Sequence, residues 1–448
     1  MIIKFKNLGP IESGEINFND LKGINLIIGK NNTGKTYLSN LLYTYFKVRE
    51  RQNIKMNEVI GIRFKDILSD SDYETIKDYF EKKYEKEIKD TLPQVFHTSK
   101  DTFKDFEIEV DLSDEILEFK KLDDDMIIYF REMRKTIKLK KSEDKIEYLM
   151  EDYDENKGKR YITYNRKIEE EEAKQIIFGY FLHIKFFQKI YKFYSFPAER
   201  SGAVLFYKQL LEERSDVLRE LELGNSENIG KISRYSEPVN DYVKFLNSIS
   251  DRSKGVTELD IYKKLDTELK EILDGEVIID LESNIMFKID ANKIIDLGMV
   301  SSTVKTLAGF YLYLKYLAME RDIIFIDEIE LNLHPENQRK IMKLINYLSK
   351  QGIKFIISTH SPIITEEIDN MLLFEKVKDK INSEEMKEYG INSEYGLKTS
   401  DINVFHLHNK TVEKIKEKNG EFEIETFNTV LEETDNLYQT LLFYAEEK

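Results

Sequence analysis

The most informative absences in this 448-residue sequence are cysteine and tryptophan, neither of which occurs. A chain without cysteine has no disulfides, no thiolate metal sites and no cysteine nucleophile. It fits a reducing compartment, so we expect a cytoplasmic protein. No run approaches the roughly 18 consecutive apolar residues of a membrane-spanning helix, so we expect no membrane partner. The opening residues alternate like a β-strand and lack the pattern of a secretory signal.

Positive charge is scarce relative to negative charge. The chain has 68 basic and 84 acidic residues, which gives a formal net charge of −16. This balance disfavours wrapping nucleic acid over the whole surface, although a local basic face stays open. The length allows two or three compact units, each able to bury a core.

The strongest motif is a glycine-bounded loop over residues 29–36, which reads G-K-N-N-T-G-K-T. It matches the phosphate-binding pattern G-x-x-x-x-G-K-[ST] throughout. An apolar run over residues 24–28 precedes the loop like a buried strand, and the apolar residues after it recur at helical spacing. Strand, loop and helix in this order are the context in which such a loop holds nucleotide phosphates.

Each residue type in this loop has a chemical role in holding phosphates. The glycines let the backbone curl so that N–H groups face phosphate oxygens, and the start of the next helix adds partial positive charge. Lys35 can reach the β- and γ-phosphates, and the hydroxyl of Thr36 can ligate Mg²⁺. The predicted nucleotide-binding residues of the loop are Gly29, Lys30, Asn31, Asn32, Thr33, Gly34, Lys35 and Thr36. The loop therefore predicts that the chain binds a nucleoside triphosphate.

An acidic pair, Asp327 and Glu328, ends a four-residue apolar strand over residues 323–326. A strand that delivers acidic residues to the edge of a parallel sheet is how P-loop enzymes hold their metal. We predict that Asp327 binds Mg²⁺, directly or through water, and that Glu328 polarises the attacking water as a general base.

A histidine, His360, follows a further apolar strand over residues 354–357. It could be an ordinary, satisfied polar residue beside a buried strand. One helix separates this strand from the acidic pair, and that arrangement returns His360 to the same sheet edge. The sequence therefore favours a catalytic role in which the imidazole contacts a γ-phosphate.

Two serines, Ser301 and Ser302, precede a helical face between the phosphate loop and the acidic pair. In the plain interpretation they cap the helix and do nothing more. In the sharper interpretation they form a signature segment, which donates hydroxyl and N–H groups to a γ-phosphate held by another subunit.

These pieces, in this order, resemble the head of an ABC-type ATPase of the RecF/SMC/OLD branch. The stretch I-D-E-I-E-L-N-L-H-P over residues 326–335 is characteristic of that branch. Together with L-G-P-I over residues 8–11 and F-P-A-E-R-S-G over residues 196–202, it resembles a prokaryotic ATPase group of anti-phage defence, to which Septu, PARIS and OLD-like proteins belong. The resemblance implies an α/β P-loop NTPase of the ABC-ATPase head type, with ATP and Mg²⁺ as cofactors. It also implies a head-to-tail dimer, or a higher oligomer, with ATP between the loop of one subunit and the signature of the other.

The chain departs from this family pattern in two places. The signature reads V-S-S-T-V and lacks glycines, so we expect slow hydrolysis. A glutamine that contacts the metal is hard to place, and Gln52 and Gln188 are the nearest candidates. The P-A-E-R-S-G turn is an alternative, with Arg200 either available to a phosphate or paired in a salt bridge on a surface turn.

The resemblance also suggests how the chain is divided. We assign residues 1–46 and 290–375 to the ATPase head, residues 47–289 to the remaining head elements and a large, mainly helical insertion, and residues 376–448 to strands and a helix that complete the head. Within the insertion the sequence predicts a charged helix over residues 72–89, small sheet elements around 106–110 and 161–164, a long helix over about 168–187, and a helix that Gly275 closes. After the histidine it predicts a strand over 404–407, a second strand with a tight turn at 419–420, and a helix that starts near Asn428. We interpret a basic run over residues 134–141 as a solvated edge strand rather than a DNA contact.

Three functions compete at this point. The favoured one is an ATP-binding and hydrolysing switch or scaffold subunit of an anti-phage defence system, which controls a separate effector protein, a nuclease or a toxin. The alternative is a RecF/SMC-like repair clamp that closes on DNA. A transport or translation subunit is disfavoured by the signature and the large insertion. We expect no intrinsic nuclease, because the region after the histidine is too short for a Toprim domain.

Overall fold

The computed structural model describes residues 2–51, 70–111, 118–122, 125–130, 135–141, 146–154, 159–168, 192–222, 235–252, 260–418, 422 and 436–442. The strands are β1 (Ile2–Leu8), β2 (Ile11–Asn17), β3 (Ile24–Gly29), β4 (Glu107–Asp111), β5 (Glu118–Leu122), β6 (Asp125–Phe130), β7 (Lys135–Lys141), β8 (Ile146–Asp154), β9 (Lys159–Ile168), β10 (Phe193–Phe196), β11 (Glu276–Ile279), β12 (Ile285–Asp290), β13 (Lys293–Asp296), β14 (Ile323–Ile326), β15 (Lys354–Thr359), β16 (Ile402–His408) and β17 (Thr411–Ile415). The helices are α1 (Lys35–Arg51), α2 (Asp70–Val95), α3 (Arg200–Glu222), α4 (Glu237–Arg252), α5 (Asp260–Leu273), α6 (Ser302–Tyr316), α7 (Pro335–Lys350), α8 (Pro362–Val377) and α9 (Ser383–Glu388).

A nine-stranded sheet organises the head, with the strand order β10-β14-β15-β3-β16-β17-β2-β1-β4. The first five of these strands run parallel. Beyond them, β17 is antiparallel to β16, and β1 is antiparallel to both β2 and β4. Strand β3 is buried along its whole length, which explains why the sequence before the phosphate loop reads as a continuous apolar run.

Helices cover both faces of this sheet. Ile24, Leu26 and Ile28 of β3 belong to one buried core, which α3 to α8 complete. Ile27 belongs to a second core, which α1 and α2 complete on the opposite face. Since side chains alternate along a strand, this division gives three layers, with the parallel strands in the middle. The predicted α/β class is therefore confirmed.

The stretch between the two halves of the head contains both helix and sheet. Helix α2 covers the charged segment that the sequence predicted to be helical, and β4 lies in the central sheet beside β1. Strands β5 to β9 form a five-stranded antiparallel meander, larger than the small sheet elements that we expected. The long helix predicted over residues 168–187 lies outside the described residues, except that Ile168 ends β9.

The basic run is not an edge strand, so that prediction was wrong. Its residues 135–141 form β7, the third strand of the five-stranded sheet. The register pairs Lys135 with Asp152, and it pairs Lys140 with both Asp125 and Glu147. The register therefore places residues of opposite charge at paired positions of this interior strand.

The end of helix α5 and the position of strand β16 agree with the sequence. Helix α5 ends where the sequence indicates, since Gly275 has φ +155° and its N–H donates to the carbonyl oxygen of Lys270 at 3.3 Å. The strand predicted near Val404 is part of β16, which pairs directly with β3. The turn predicted at residues 419–420 and the helix start at Asn428 lie outside the described residues. Within the described ranges, no helix combines the length and hydrophobicity that crossing a bilayer requires.

Candidate functional site

Four neighbouring strands deliver the predicted site residues to one edge of the sheet. Strands β10, β14, β15 and β3 are adjacent and parallel, so their carboxyl ends meet there. The phosphate loop follows β3, the acidic pair follows β14, and His360 follows β15. The P-A-E-R-S-G turn follows β10 at the same edge. Ligands of open α/β sheets bind at this position.

The two glycines of the loop are required by geometry. Gly34 has φ +104°, and a Cβ at this residue would lie 2.7 Å from Cγ1 of Ile11. Gly29 has φ +155°, and a Cβ there would lie 2.9 Å from the carbonyl oxygen of Leu407. The turn between β1 and β2 therefore packs against the loop, which gives the L-G-P-I motif a structural role.

Lys35 is buried under the loop. Its ammonium donates to the carbonyl oxygens of Gly29 and Lys30, at 2.9 Å each. Burial lowers the pKa of Lys35, and the carboxylates of Glu328, Glu330 and Asp327 oppose that shift. The lysine thus lies within the electrostatic reach of the acidic residues that follow β14.

Oxygen ligands suitable for Mg²⁺ converge between α1 and β14. The hydroxyl of Thr36 lies 3.4 Å from a carboxylate oxygen of Asp327. A hydroxyl and a carboxylate, completed by phosphate oxygens and water, are the donor set that Mg²⁺ prefers. In the described ranges no group of three or more His, Asp or Glu residues could hold a metal by itself. The donors present therefore fit a metal ion that arrives with a nucleotide.

Ser358 on β15 fixes the acidic pair, a role that the sequence did not reveal. Its hydroxyl donates to the second carboxylate oxygen of Asp327 and accepts from the backbone N–H of Glu328 at 2.9 Å. One serine therefore orients both acidic residues from the neighbouring strand. Within the motif S-T-H-S-P only the histidine stood out from its sequence context.

Glu330 holds the loop that carries His360, and sequence reasoning missed this residue as well. Its carboxylate is 8% exposed and accepts from the hydroxyl of Thr359 at 2.7 Å and from the N–H of His360 at 2.7 Å. The imidazole Nδ1 of His360 lies 2.9 Å from the same carboxylate. Because Nδ1 is engaged there, Nε2 is the ring atom left for a ligand.

The position of Arg200 contradicts both interpretations of the P-A-E-R-S-G turn. The side chain is neither available to a phosphate nor on the surface, since it is 2% exposed. Its guanidinium donates to the carbonyl oxygens of Pro197, Asp327 and Glu328. Gln52 and Gln188, the other candidates for this part of the site, lie outside the described residues.

Ser301 caps helix α6, which agrees with the first of the two interpretations of the serines. Its hydroxyl accepts from the N–H of Val304 at 3.3 Å, and both Ser301 and Ser302 are exposed. Thr303 in the next position donates to the carbonyl oxygen of Asn332 at 2.8 Å, which ties this segment to the loop after the acidic pair. A role of the serines toward a phosphate of another subunit stays a prediction.

The chain is similar to one protein family in sequence and to several solved structures. Residues 1–365 match the family model described as an AAA ATPase domain. No curated protein matches the chain. Similar solved structures include an SMC head bound to the C-terminal winged-helix domain of ScpA, with 10% identity, 93% of this chain and 97% of that chain covered, and a TM-score of 0.33. Another is the SMC head domain from Thermotoga maritima, with 10% identity, 93% and 98% coverage, and a TM-score of 0.30.

The family match spans most of the chain, from β1 to the start of α8, and includes every element that carries a predicted catalytic or metal residue. The chain belongs to the AAA ATPase domain family.

Proposed function

We propose that this protein binds ATP with Mg²⁺ and hydrolyses it slowly, as a switch that controls a separate effector. The observation that carries the proposal is the convergence of Lys35, Thr36, Asp327, Glu328 and His360 at the carboxyl ends of three adjacent parallel strands. Each residue type has a distinct chemical task in phosphoryl transfer to water, and their convergence supports assigning those tasks to these residues.

Binding begins with the loop and Lys35. On nucleotide binding the Lys35 ammonium exchanges the carbonyl oxygens of Gly29 and Lys30 for phosphate oxygens, which offer it a stronger, charge-assisted partner. Thr36 and Asp327 would hold Mg²⁺, which neutralises phosphate charge when it is bound. Ser358 keeps the Asp327 carboxylate oriented for this task.

Hydrolysis depends on Glu328 and His360. The Glu328 carboxylate orients a water and accepts its proton as the water attacks the γ-phosphate. Glu330 holds Nδ1 of His360, so the imidazole presents Nε2 to the phosphate. An N–H at Nε2 would donate to the phosphate and so stabilise the charge that develops during transfer.

The switch role extends this chemistry to a dimer and an effector. Thr303, next to the exposed Ser301 and Ser302, donates to the carbonyl oxygen of Asn332, so the start of α6 and the neighbouring loop together present one polar surface. We place a second subunit there, head to tail, with its ATP against Ser301 and Ser302. The motifs shared with defence ATPases support an anti-phage role, with a nuclease or toxin as the controlled partner.

The biochemical part is tested with two variants. Glu328→Gln should retain ATP binding and lower kcat about 100-fold or more, since general-base catalysis contributes 10²–10⁴-fold. Lys35→Ala should abolish binding, as measured with a fluorescent ATP analogue. If Glu328→Gln hydrolyses ATP at the wild-type rate, Glu328 is not the base.

The partner is tested by a pull-down of tagged Glu328→Gln protein with ATP and Mg²⁺, with Lys35→Ala as the matched control. A stoichiometric protein that co-purifies only with Glu328→Gln would support the effector-controlling switch. Nuclease-sensitive DNA without a protein partner would support the repair-type clamp instead.

A further inference from the structure

Arg200 is a buried cation whose partners are main-chain oxygens. Its side chain is 2% exposed at the first residue of α3. Nη1 donates to the carbonyl oxygen of Asp327 at 2.6 Å and to that of Pro197 at 3.0 Å, while Nη2 donates to that of Glu328 at 2.8 Å. Burying a guanidinium is costly unless its hydrogen bonds are satisfied, so the acceptors must be well placed.

The backbone that Arg200 holds is strained. Glu328 has φ +48°, in the left-handed region that a residue with a Cβ adopts at a cost of roughly 1–2 kcal/mol. Such a conformation persists only where the surrounding structure determines it. Here the N–H of Glu328 donates to the hydroxyl of Ser358, and the N–H of Ile329 donates to the Ser358 carbonyl oxygen at 3.3 Å. On the carbonyl side, the Glu328 oxygen accepts from the Arg200 guanidinium at 2.8 Å and from the N–H of Leu331 at 3.0 Å.

These contacts fix the main chain of Glu328 from the two strands that flank β14. Ser358 lies on β15 and engages the N–H, whereas Arg200 follows β10 and engages the carbonyl oxygens of Asp327 and Glu328. We infer that Arg200 is a positioning residue for the general base, which fixes the left-handed turn of the main chain and thereby the place of the Glu328 carboxylate. The inference rests on the proposed ATPase function.

The planar fork of the guanidinium is what the role requires. It reaches two successive carbonyl oxygens at once, and a lysine ammonium on a flexible stem cannot reproduce that geometry. Since the guanidinium lies behind the main chain of Asp327 and Glu328, its loss should affect the chemical step and spare ATP binding. A misplacement of about 1 Å at a reacting group can lower a rate about 10²-fold.

The test uses Arg200→Lys in two backgrounds. In the wild-type protein we expect kcat to fall about 10- to 100-fold, with the Kd for ATP changed less than about threefold. In the Glu328→Gln background the same substitution should change the residual rate little, because the group that Arg200 positions is already absent. Arg339→Lys is the matched control, since Arg339 pairs with the buried Glu367 at 2.7 Å and should leave kcat unchanged.

A second variant, Arg200→Ala, tests the same role by chemical rescue. Arg200→Ala should regain part of its kcat when guanidinium is added at millimolar concentration, whereas urea, of similar shape but neutral, should have no effect. An unchanged kcat in Arg200→Lys would overturn the inference, as would an equal loss in both backgrounds or a raised Kd for ATP. If the wild-type protein does not hydrolyse ATP at all, the proposed function itself fails, which is a different result.

Discussion

Replacement of Glu330 by alanine should destabilise the nucleotide-free protein by about 3 kcal/mol. The buried carboxylate accepts three hydrogen bonds, from the hydroxyl of Thr359 and from the N–H and Nδ1 of His360. The His360 side chain is 41% exposed, so water can replace the Nδ1 contact. Of the other two donors, the Thr359 hydroxyl is buried and the N–H of His360 is partly buried, and each donor left unsatisfied costs about 1–3 kcal/mol. Relief of the buried carboxylate offsets part of that cost.

Glu330→Gln separates charge from shape. The amide oxygen can still accept from the N–H of His360, and the Thr359 hydroxyl can rotate to accept from the amide nitrogen. We therefore expect a loss of only about 1 kcal/mol, the difference between a charge-assisted and a neutral hydrogen bond. Its kcat should nevertheless fall, since Nδ1 of His360 loses the charge-assisted acceptor that orients the imidazole.

The assay is urea unfolding without nucleotide, with the midpoint and slope compared across variants. Glu336→Ala is the control, because Glu336 is an exposed carboxylate on α7 that pairs with Lys340 at 2.8 Å. Its midpoint should match that of the wild-type protein. A loss below about 1 kcal/mol for Glu330→Ala, or equal losses for alanine and glutamine, would refute this account of the buried carboxylate.

Three other substitutions test different parts of the structure. Gly34→Ala places a Cβ 2.7 Å from Ile11 at a φ of +104°, so it should lower stability by about 2 kcal/mol and abolish binding of a fluorescent ATP analogue. Ser358→Ala should lower kcat and weaken the Mg²⁺ dependence of hydrolysis in a metal titration, because the Asp327 carboxylate loses its donor. Burial raises the pKa of Asp241, but its hydrogen bond with Lys47 and other donors holds the net value below the usual range. The stability from Asp241 is therefore present above about pH 4 and lost as the pH falls further, and in Asp241→Asn acid unfolding should show a shallower dependence in that window.

Sequence reasoning located the features that are encoded locally. The run before the phosphate loop became β3, and the apolar run before Asp327 became β14, because parallel interior strands must be apolar on both faces. The helical spacing after Lys35 became α1. These patterns are contained within a few consecutive residues, so one sequence is enough to read them.

Contacts between distant segments could not be predicted in the same way. Ser358 and Glu330 act through the register of β14 against β15, and Arg200 acts through the register of β10 against β14. A serine, a glutamate or an arginine beside a strand has many ordinary uses, and only the pairing of strands gives these three their partners. The interior position of β7 was missed for a different reason: its neighbours β6 and β8 directly precede and follow it in the sequence, but their segments were not recognised as strands.

The place of β3 in the sheet has a consequence for the order in which the molecule is built. Strand β3 and its loop are synthesised early, but the strands on either side are β15 and β16, whose residues come more than three hundred positions later. Such long-range pairing slows folding, because the chain must close a large loop before the contacts form. The phosphate loop therefore lacks the two strands that flank β3 in the folded sheet until β16 has left the ribosome, and a ligand that binds only the folded site can stabilise it only after that point.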